Sequence, residues 1–479
     1  MNRPVTMKHI RDALHEARGL KSIPTASAVL GDGSLLEMVC RPQERNTQFV
    51  VWRDGAWSLK NKIKVDFSRE LVPYAYTNNL IQHNVVLFPS EPAEYDSDAA
   101  LLTEIQAFIH RYVDVSALFE RIASYYVLLS WVYDGFNELP YLRVRGDPGT
   151  GKTRCLLTIG TLCYKPIFAG GASTVSPIFR ILEAFQGTLI IDESDFRFSD
   201  EKAEIVKILN NGNVRGFPVL RSEATGTGEF NPKAYQVFGP KLVATRGAFD
   251  DRALESRFLT EEMGNARLRD EVPINLPASH KQEAQQIRNK LLLFRFRRFR
   301  KQQLGETLID RTIEPRLNQI FAPLLSMVDD PDARAEFRNM IKQYHRDLVV
   351  ERGMDAEAQI LEIIRSLLAA PGVTKLSIDD IKGRFVDLYG GEYDGKITHR
   401  WVGGIVRKRL GLKTQKSHGV YVVPVSELEK LPRLYEKYGV EAPMSCGPGE
   451  VAAREAGDLG DIGEIGTIAE GNDAIQSKP

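Results

Sequence analysis

Residues 141–153, YLRVRGDPGTGKT, restrict what this chain can fold into more than any other stretch. Gly146, Asp147, Pro148, Gly149, Thr150, Gly151, Lys152 and Thr153 fit the pattern G-x-x-x-x-G-K-[ST]. Glycines at this spacing let successive backbone N–H groups turn toward phosphate oxygens. Lys152 adds a positive charge at the terminal phosphates, and the Thr153 hydroxyl is suited to ligate Mg²⁺. The first residues read as a short buried strand and residues 153–162 as a helix, which is the context the pattern requires. The ligand this predicts is a nucleoside triphosphate with Mg²⁺.

A second apolar run, residues 188–193 (TLIIDE), ends in two adjacent acids. Asp192 is suited to hold Mg²⁺ and Glu193 to orient and polarise an attacking water. Asp195 reads as a helix cap. Residues 166–168 read as another strand and 176–185 as a helix. Residues 241–245, KLVAT, form a third strand candidate, which puts the polar Thr245 either near a γ-phosphate or simply at a strand end. Between the acids and this strand, residues 214–240 are longer than a plain connection. Residues 217–223 and 234–238 read as hairpin arms with a Gly- and Thr-rich tip, and Arg221, Lys233 and Lys241 as the hairpin's charges.

GDPGTGKT, LIIDE and LVATR together resemble the phosphate loop, acidic strand and third strand of the AAA+ family of ring-forming ATPases. DRALESRF at 251–258 resembles the arginine-finger stretch of the hairpin-bearing branch that includes minichromosome maintenance helicases and replicative helicases of phages and mobile elements. The resemblance is strong over residues 140–258. It implies an ATP site completed by a neighbouring subunit, with Arg257 first and Arg252 second as the reaching arginine. An arginine in that role is worth roughly 10³ to 10⁵ in turnover. It also implies a helical lid whose Arg316, opening a helix after Pro315, touches the γ-phosphate. Either arginine of 251–258 also reads as an ordinary surface charge.

The fold expected is α/β: an AAA+ P-loop core with a parallel sheet and helical lid, an α+β N-terminal domain, and a C-terminal winged helix. The segments are 1–95, 96–265 with a helical lead-in, 266–352, 353–426 and 427–479. In the N-terminal segment, residues 49–52 and 57–59 flank Asp54-Gly55, a strong hairpin signal. Trp52 and Trp57 with Lys60, Lys62 and Lys64 read either as a nucleic-acid surface or as a hydrophobic face with a solvated edge. In the lid, residues 288–301 are the most basic run. Leu292, Phe296 and Phe299 face inward, and the arginines are either solvated or in contact with nucleic acid or an acidic neighbour.

Residues 355–423 read as three helices and a hairpin, with Ser377 and Thr398 as caps. Such a winged helix sends its third helix into a groove of DNA. Arg400, Arg407 and Lys408 are then the exposed helix charges, and Lys413 and Lys416 flank the wing tip. Winged helices also bind proteins. From about residue 441 the chain has no aromatics and a Gly-polar-aliphatic repeat, which predicts disorder and a possible partner-docking role.

Formal net charge is zero over 479 residues, but the tail is acidic, so the remainder is net basic. The scattered cysteines Cys40, Cys155, Cys163 and Cys446 have no metal-type spacing and predict a reduced, cytoplasmic setting, and the most apolar run, residues 122–133, is too short to span a bilayer, so no membrane partner is expected. The function expected is an ATP-dependent, DNA-acting ring, most simply a hexamer, such as a replicative helicase of a phage or mobile element. The alternatives are an AAA+ initiator or helicase loader, and a nucleotide-switched DNA-binding regulator.

Overall fold

The computed structural model describes residues 21–170, 175–192, 200–224, 230–249, 251–264, 268–301, 304–353, 356–369, 376–390, 397–417 and 419–440. Glu193, Asp195, the hairpin tip 225–229 and the tail from 441 lie outside them, as does the Arg252 side chain. The chain forms two compact units, the first ending at Gln343 and the second beginning at Tyr344.

The first unit opens with two small sheets. One joins β1 (Lys21–Thr25), β7 (Arg69–Pro73) and β6 (Ile63–Lys64). The other is antiparallel, in the order β2 (Ser27–Val29), β3 (Leu35–Arg41), β4 (Asn46–Arg53), β5 (Ala56–Lys60). Asp54 and Gly55 both have positive φ, 52° and 82°, as a two-residue type I′ connection demands, and Trp52 pairs with Trp57 across it. The short α1 (Asn79–Gln82) follows. The strands are not an independent body: Leu36, Met38, Phe49, Val86 and Phe88 share one buried cluster with Ile167, Phe179, Ile191, Val243 and Phe258. Trp52 stacks on Phe296 with ring centroids 5.5 Å apart, as the hydrophobic-face reading expects, whereas Trp57 is 41% exposed.

Two lead-in helices, α2 (Asp98–Tyr112) and α3 (Ala117–Trp131), are capped by Ser97 and Ser116, whose side chains accept from the N–H groups of Ala100 and Phe119. Nearly all of α3 is buried, because it lies under both the sheet and later helices. The central sheet is all parallel. Its strands are β8 (Tyr141–Arg145), β9 (Ile167–Ala169), β10 (Leu189–Ile191), β13 (Lys241–Thr245) and β14 (Phe258–Glu262), in the order β14-β8-β13-β10-β9. Near-continuous apolar runs suit strands covered on both faces. The covering helices include α4 (Lys152–Gly160), α5 (Val175–Phe185) and α6 (Asp200–Asn211). The β9 edge is covered by residues 85–87, which bond to Pro166 and Phe168.

β11 (Val219–Ala224) and β12 (Phe230–Tyr235) make the expected hairpin, with its second arm earlier than the pattern suggested. Arg221 and Lys233 are cross-strand partners and lie against acids of this chain. Arg221 pairs with Glu204 and covers the Phe179 ring at 4.6 Å, and Lys233 lies 3.4 Å from Glu183. Lys241 is no hairpin charge. It is 1% exposed, and its Nζ donates to the carbonyls of Val237, Gly239 and Gly212 at 2.8, 3.0 and 3.3 Å.

After the short α7 (Arg252–Glu255) come α8 (Ala278–Arg298), α9 (Pro315–Leu325) and α10 (Pro331–Gly353). Four cations of the basic run pair with acids of this chain. Arg295 is buried and pairs with Glu37 at 2.6 Å and Asp134 at 2.7 Å, Lys290 pairs with Glu104, Arg297 with Glu94 and Arg298 with Asp98. Arg295 is thereby taken out of the solvated and nucleic-acid readings, whereas Arg297 and Arg298 pair at the surface and stay partly exposed.

The second unit contains α11 (Ala356–Ala369), β15 (Leu376–Ser377), α12 (Ile378–Tyr389), α13 (His399–Gly404), β16 (Gln415–Ser417), β17 (Val420–Val423) and α14 (Leu431–Tyr438). The sheet order is β15-β17-β16, antiparallel. Ser377 and Thr398 cap α12 and α13 as expected. Residues 427–440 are part of this fold rather than an extension: Leu431, Tyr435, Tyr438 and Val440 are buried with Ile360, Ile364 and Phe385. Spacings of four and three put those three α14 side chains on one face.

Candidate phosphate-binding site

The loop between β8 and α4 lies at the carboxyl ends of the parallel strands. Gly149 and Gly151 have φ of 86° and 91°, where side chains with a Cβ are strained. A Cβ on Gly146 would stand 2.6 Å from the Met263 carbonyl oxygen, so the chain just after β14 forms the back of the loop. Gly264 continues that contact, since a Cβ there would meet Thr150 at 2.5 Å. Met263 and Gly264 were missed by sequence reasoning, since the FLTEE strand before them carries no pattern that ties it to the loop.

Gly151 caps α4 with no side-chain hydrogen bond, which leaves first-turn N–H groups at an exposed helix start, an arrangement suited to anions. Lys152 Nζ donates to the carbonyls of Gly146 and Asp147 at 2.5 and 2.6 Å, folded over the loop it would serve. Thr153 Oγ1 donates to Asp192 Oδ2 at 2.7 Å, bringing the loop and the acidic strand together.

β13 separates β8 from β10, so Thr245 sits between the loop and Asp192. The Gly146 N–H donates to the Thr245 carbonyl at 3.3 Å. The Thr245 hydroxyl is buried and has no hydrogen-bond partner among the described residues. An orphaned buried hydroxyl is costly unless something else satisfies it. Together these groups fit a triphosphate with Mg²⁺: N–H groups and Lys152 for phosphate oxygens, Thr153 and Asp192 for the cation, Thr245 for a water or terminal oxygen.

Arg257 lies at the other end of the sheet. Its carbonyl accepts from Tyr141 N at 2.9 Å, at the start of β8, whereas the loop follows the end of that strand. Five residues separate those ends, roughly 16 Å at ~3.3 Å per residue, so Arg257 does not reach its own loop. Arg257 bonds to Asn210, which donates to Asp251 at 2.9 Å. Burial, followed by the nearby Arg316 guanidinium, lowers its pKa. Arg316 donates to the Ala253 carbonyl at 2.7 Å, so both arginines share the strand-start edge.

A residue inside the phosphate-loop strand supports this edge. Arg143, 2% exposed, makes a two-pronged bond to Glu255 at 2.5 and 2.6 Å and donates to Thr260 at 3.0 Å, with its guanidinium over Phe249 and Phe258. It thereby fixes α7 and the turn that presents Arg257. In the second unit, Arg400, Arg407, Lys408, Lys413 and Lys416 are all exposed. Arg407 bonds to Thr414 at 3.3 Å and lies over the half-exposed Tyr421.

No protein-family model and no curated protein matches the chain. Among solved structures, the apo NrS-1 C terminal region matches over 81% of this chain and 95% of that one, at 10% identity and a TM-score of 0.36. JCV helicase matches over 53% of this chain and 61% of that one, at 14% identity and a TM-score of 0.22. Among the described residues, no helix is long and apolar enough to cross a membrane.

Proposed function

We propose that this chain is a Mg²⁺-dependent ATPase of the AAA+ type that works on DNA as a ring of identical subunits, with a replicative helicase of a phage or mobile element as the best-supported member of that class. The observation that carries the reading is the convergence of Lys152, Thr153, Asp192 and the unsatisfied Thr245 hydroxyl around one loop. In this reading the loop N–H groups and Lys152 orient the triphosphate. Mg²⁺ held by Thr153 and Asp192 supplies charge neutralisation at the phosphates. Glu193, next in sequence, takes the proton of the attacking water, and Thr245 fixes that water's position.

The position of Arg257 and Arg316 at the opposite sheet edge supports a site completed by a neighbour. A charge that cannot reach its own loop is available to the loop of the next subunit, where it stabilises the transition state. The lid is then α8 to α10, and the second unit a winged helix with Arg400, Arg407, Lys408, Lys413 and Lys416 turned to DNA.

A second reading, an initiator or loader, is favoured by the pairing of Arg221 and Lys233 with Glu204 and Glu183, which leaves fewer free charges on the hairpin for a moving strand. Strand displacement on forked DNA with ATP tests the choice. ATP-dependent displacement that Lys152→Ala abolishes supports the helicase. ATPase activity and DNA binding without displacement contradict it and leave the loader.

A further inference from the structure

Behind the phosphate-loop helix, a cleft of about 520 Å³ opens between the N-terminal strands, α4 and α8. Its walls are mainly apolar, with Ile81, Val86, Phe88, Leu157 and Phe168 among them. Among the described residues no aspartate or glutamate lines it, while two cations do, Lys281 and Arg288.

Arg288 is the unusual member. It is 5% exposed, and its guanidinium bonds to the Thr161 carbonyl at 2.9 Å and to Gln285 Oε1 at 2.6 Å, both neutral acceptors, while its Nε has no partner among the described residues. The other deeply buried arginines, Arg143 and Arg295, each hold a carboxylate. A buried charge without a counter-charge is costly, and a bound anion relieves that cost. Burial alone pulls the Arg288 pKa down to about 10, so the group is still charged at neutral pH. The one thiol on the wall, Cys40, is pushed up to about 11 by burial and brings no competing negative charge.

We infer that this cleft binds a small organic anion, with a carboxylate or comparable acid group at Arg288 and an aliphatic or aromatic body along the apolar wall. Size, an apolar wall and one placed charge are the features of such sites. The site is separate from the phosphate loop and does not depend on the ATPase reading.

The experiment is calorimetric titration of the full chain with octanoate and, separately, with octan-1-ol, which has the same apolar body and no charge. Octanoate is expected to bind one per chain, roughly tenfold more tightly than octan-1-ol, as a charged hydrogen bond warrants. Arg288→Met is expected to erase that preference. Because that variant also loses the bond to Thr161, Leu157→Trp serves as a second one: it fills the cleft from a partly exposed helix position and is expected to abolish octanoate binding without changing the melting temperature. Equal affinity for the two probes, no saturable octanoate binding, or octanoate binding retained in Leu157→Trp would overturn the inference.

Discussion

Thr153 Oγ1 donates to Asp192 Oδ2 at 2.7 Å, joining the first turn of the phosphate-loop helix to the end of the acidic strand. A hydroxyl and a carboxylate held this close can share one divalent cation. Asp192→Asn is therefore expected to lower Mg²⁺-dependent ATP turnover by roughly 10²-fold or more, and Thr153→Val to raise the Mg²⁺ concentration needed for half-maximal turnover. Turnover measured across a Mg²⁺ series checks both. An unchanged Mg²⁺ dependence in Thr153→Val would remove it from the cation site.

Glu193→Gln keeps the shape of the side chain and removes its ability to take a proton. It is expected to bind ATP as tightly as the parent chain while losing turnover, by about 10² to 10⁴ for a general base. Equilibrium binding of fluorescent ATP beside a phosphate-release assay separates the two effects. Normal turnover would take Glu193 out of the mechanism.

Arg295 fastens three parts of the first unit, through Glu37 of β3, Asp134 after α3 and the Trp131 carbonyl. Arg295→Met leaves the buried Glu37 carboxylate with the Tyr164 hydroxyl but without its ion pair, so a loss of about 3–5 kcal/mol is expected. Denaturant unfolding measures it, and a loss under about 1 kcal/mol would mean the pair is not coupled to folding.

Lys241 has no carboxylate partner among the described residues, and burial lowers its pKa from 10.5 to about 7. The unfolded chain therefore binds the extra proton between about pH 7 and 10, and stability from this group rises with pH across that window. Relative to Lys241→Met, the parent chain is expected to gain stability as pH rises from 7 to 10. Chemical denaturation at three pH values reads the difference, and a flat or falling difference would contradict a pKa lowered by burial.

What was legible in the sequence is what local pattern encodes. The loop glycines, the KLVAT strand, the Asp54-Gly55 connection and the Ser377 cap each follow from a few neighbouring residues, and each is found where expected. The rest depends on partners distant in sequence. Arg143 reads as a blemish in an apolar strand until Glu255 is seen against it, and the basic run of α8 reads as a surface until Glu37, Asp134, Glu104 and Asp98 are brought to it. The same holds for the N-terminal strands, whose apolar faces gave no sign that they complete the core of the parallel sheet. In the candidate site, Lys152, Thr153, Asp192 and Thr245 were readable. The edge that holds Arg257 and Arg316 together was not, because it joins a turn before β14 to a helix beyond it.

The most direct test of the account is a mixing experiment with Lys152→Ala, which spoils the loop, and Arg257→Ala, which spoils the opposite edge. Each is expected to be inactive alone. Mixed in equal amounts, they are expected to recover ATP turnover, because some junctions then pair an intact loop with an intact arginine. Two inactive variants that stay inactive when mixed, while size measurements show that they co-assemble, would contradict a site shared between subunits.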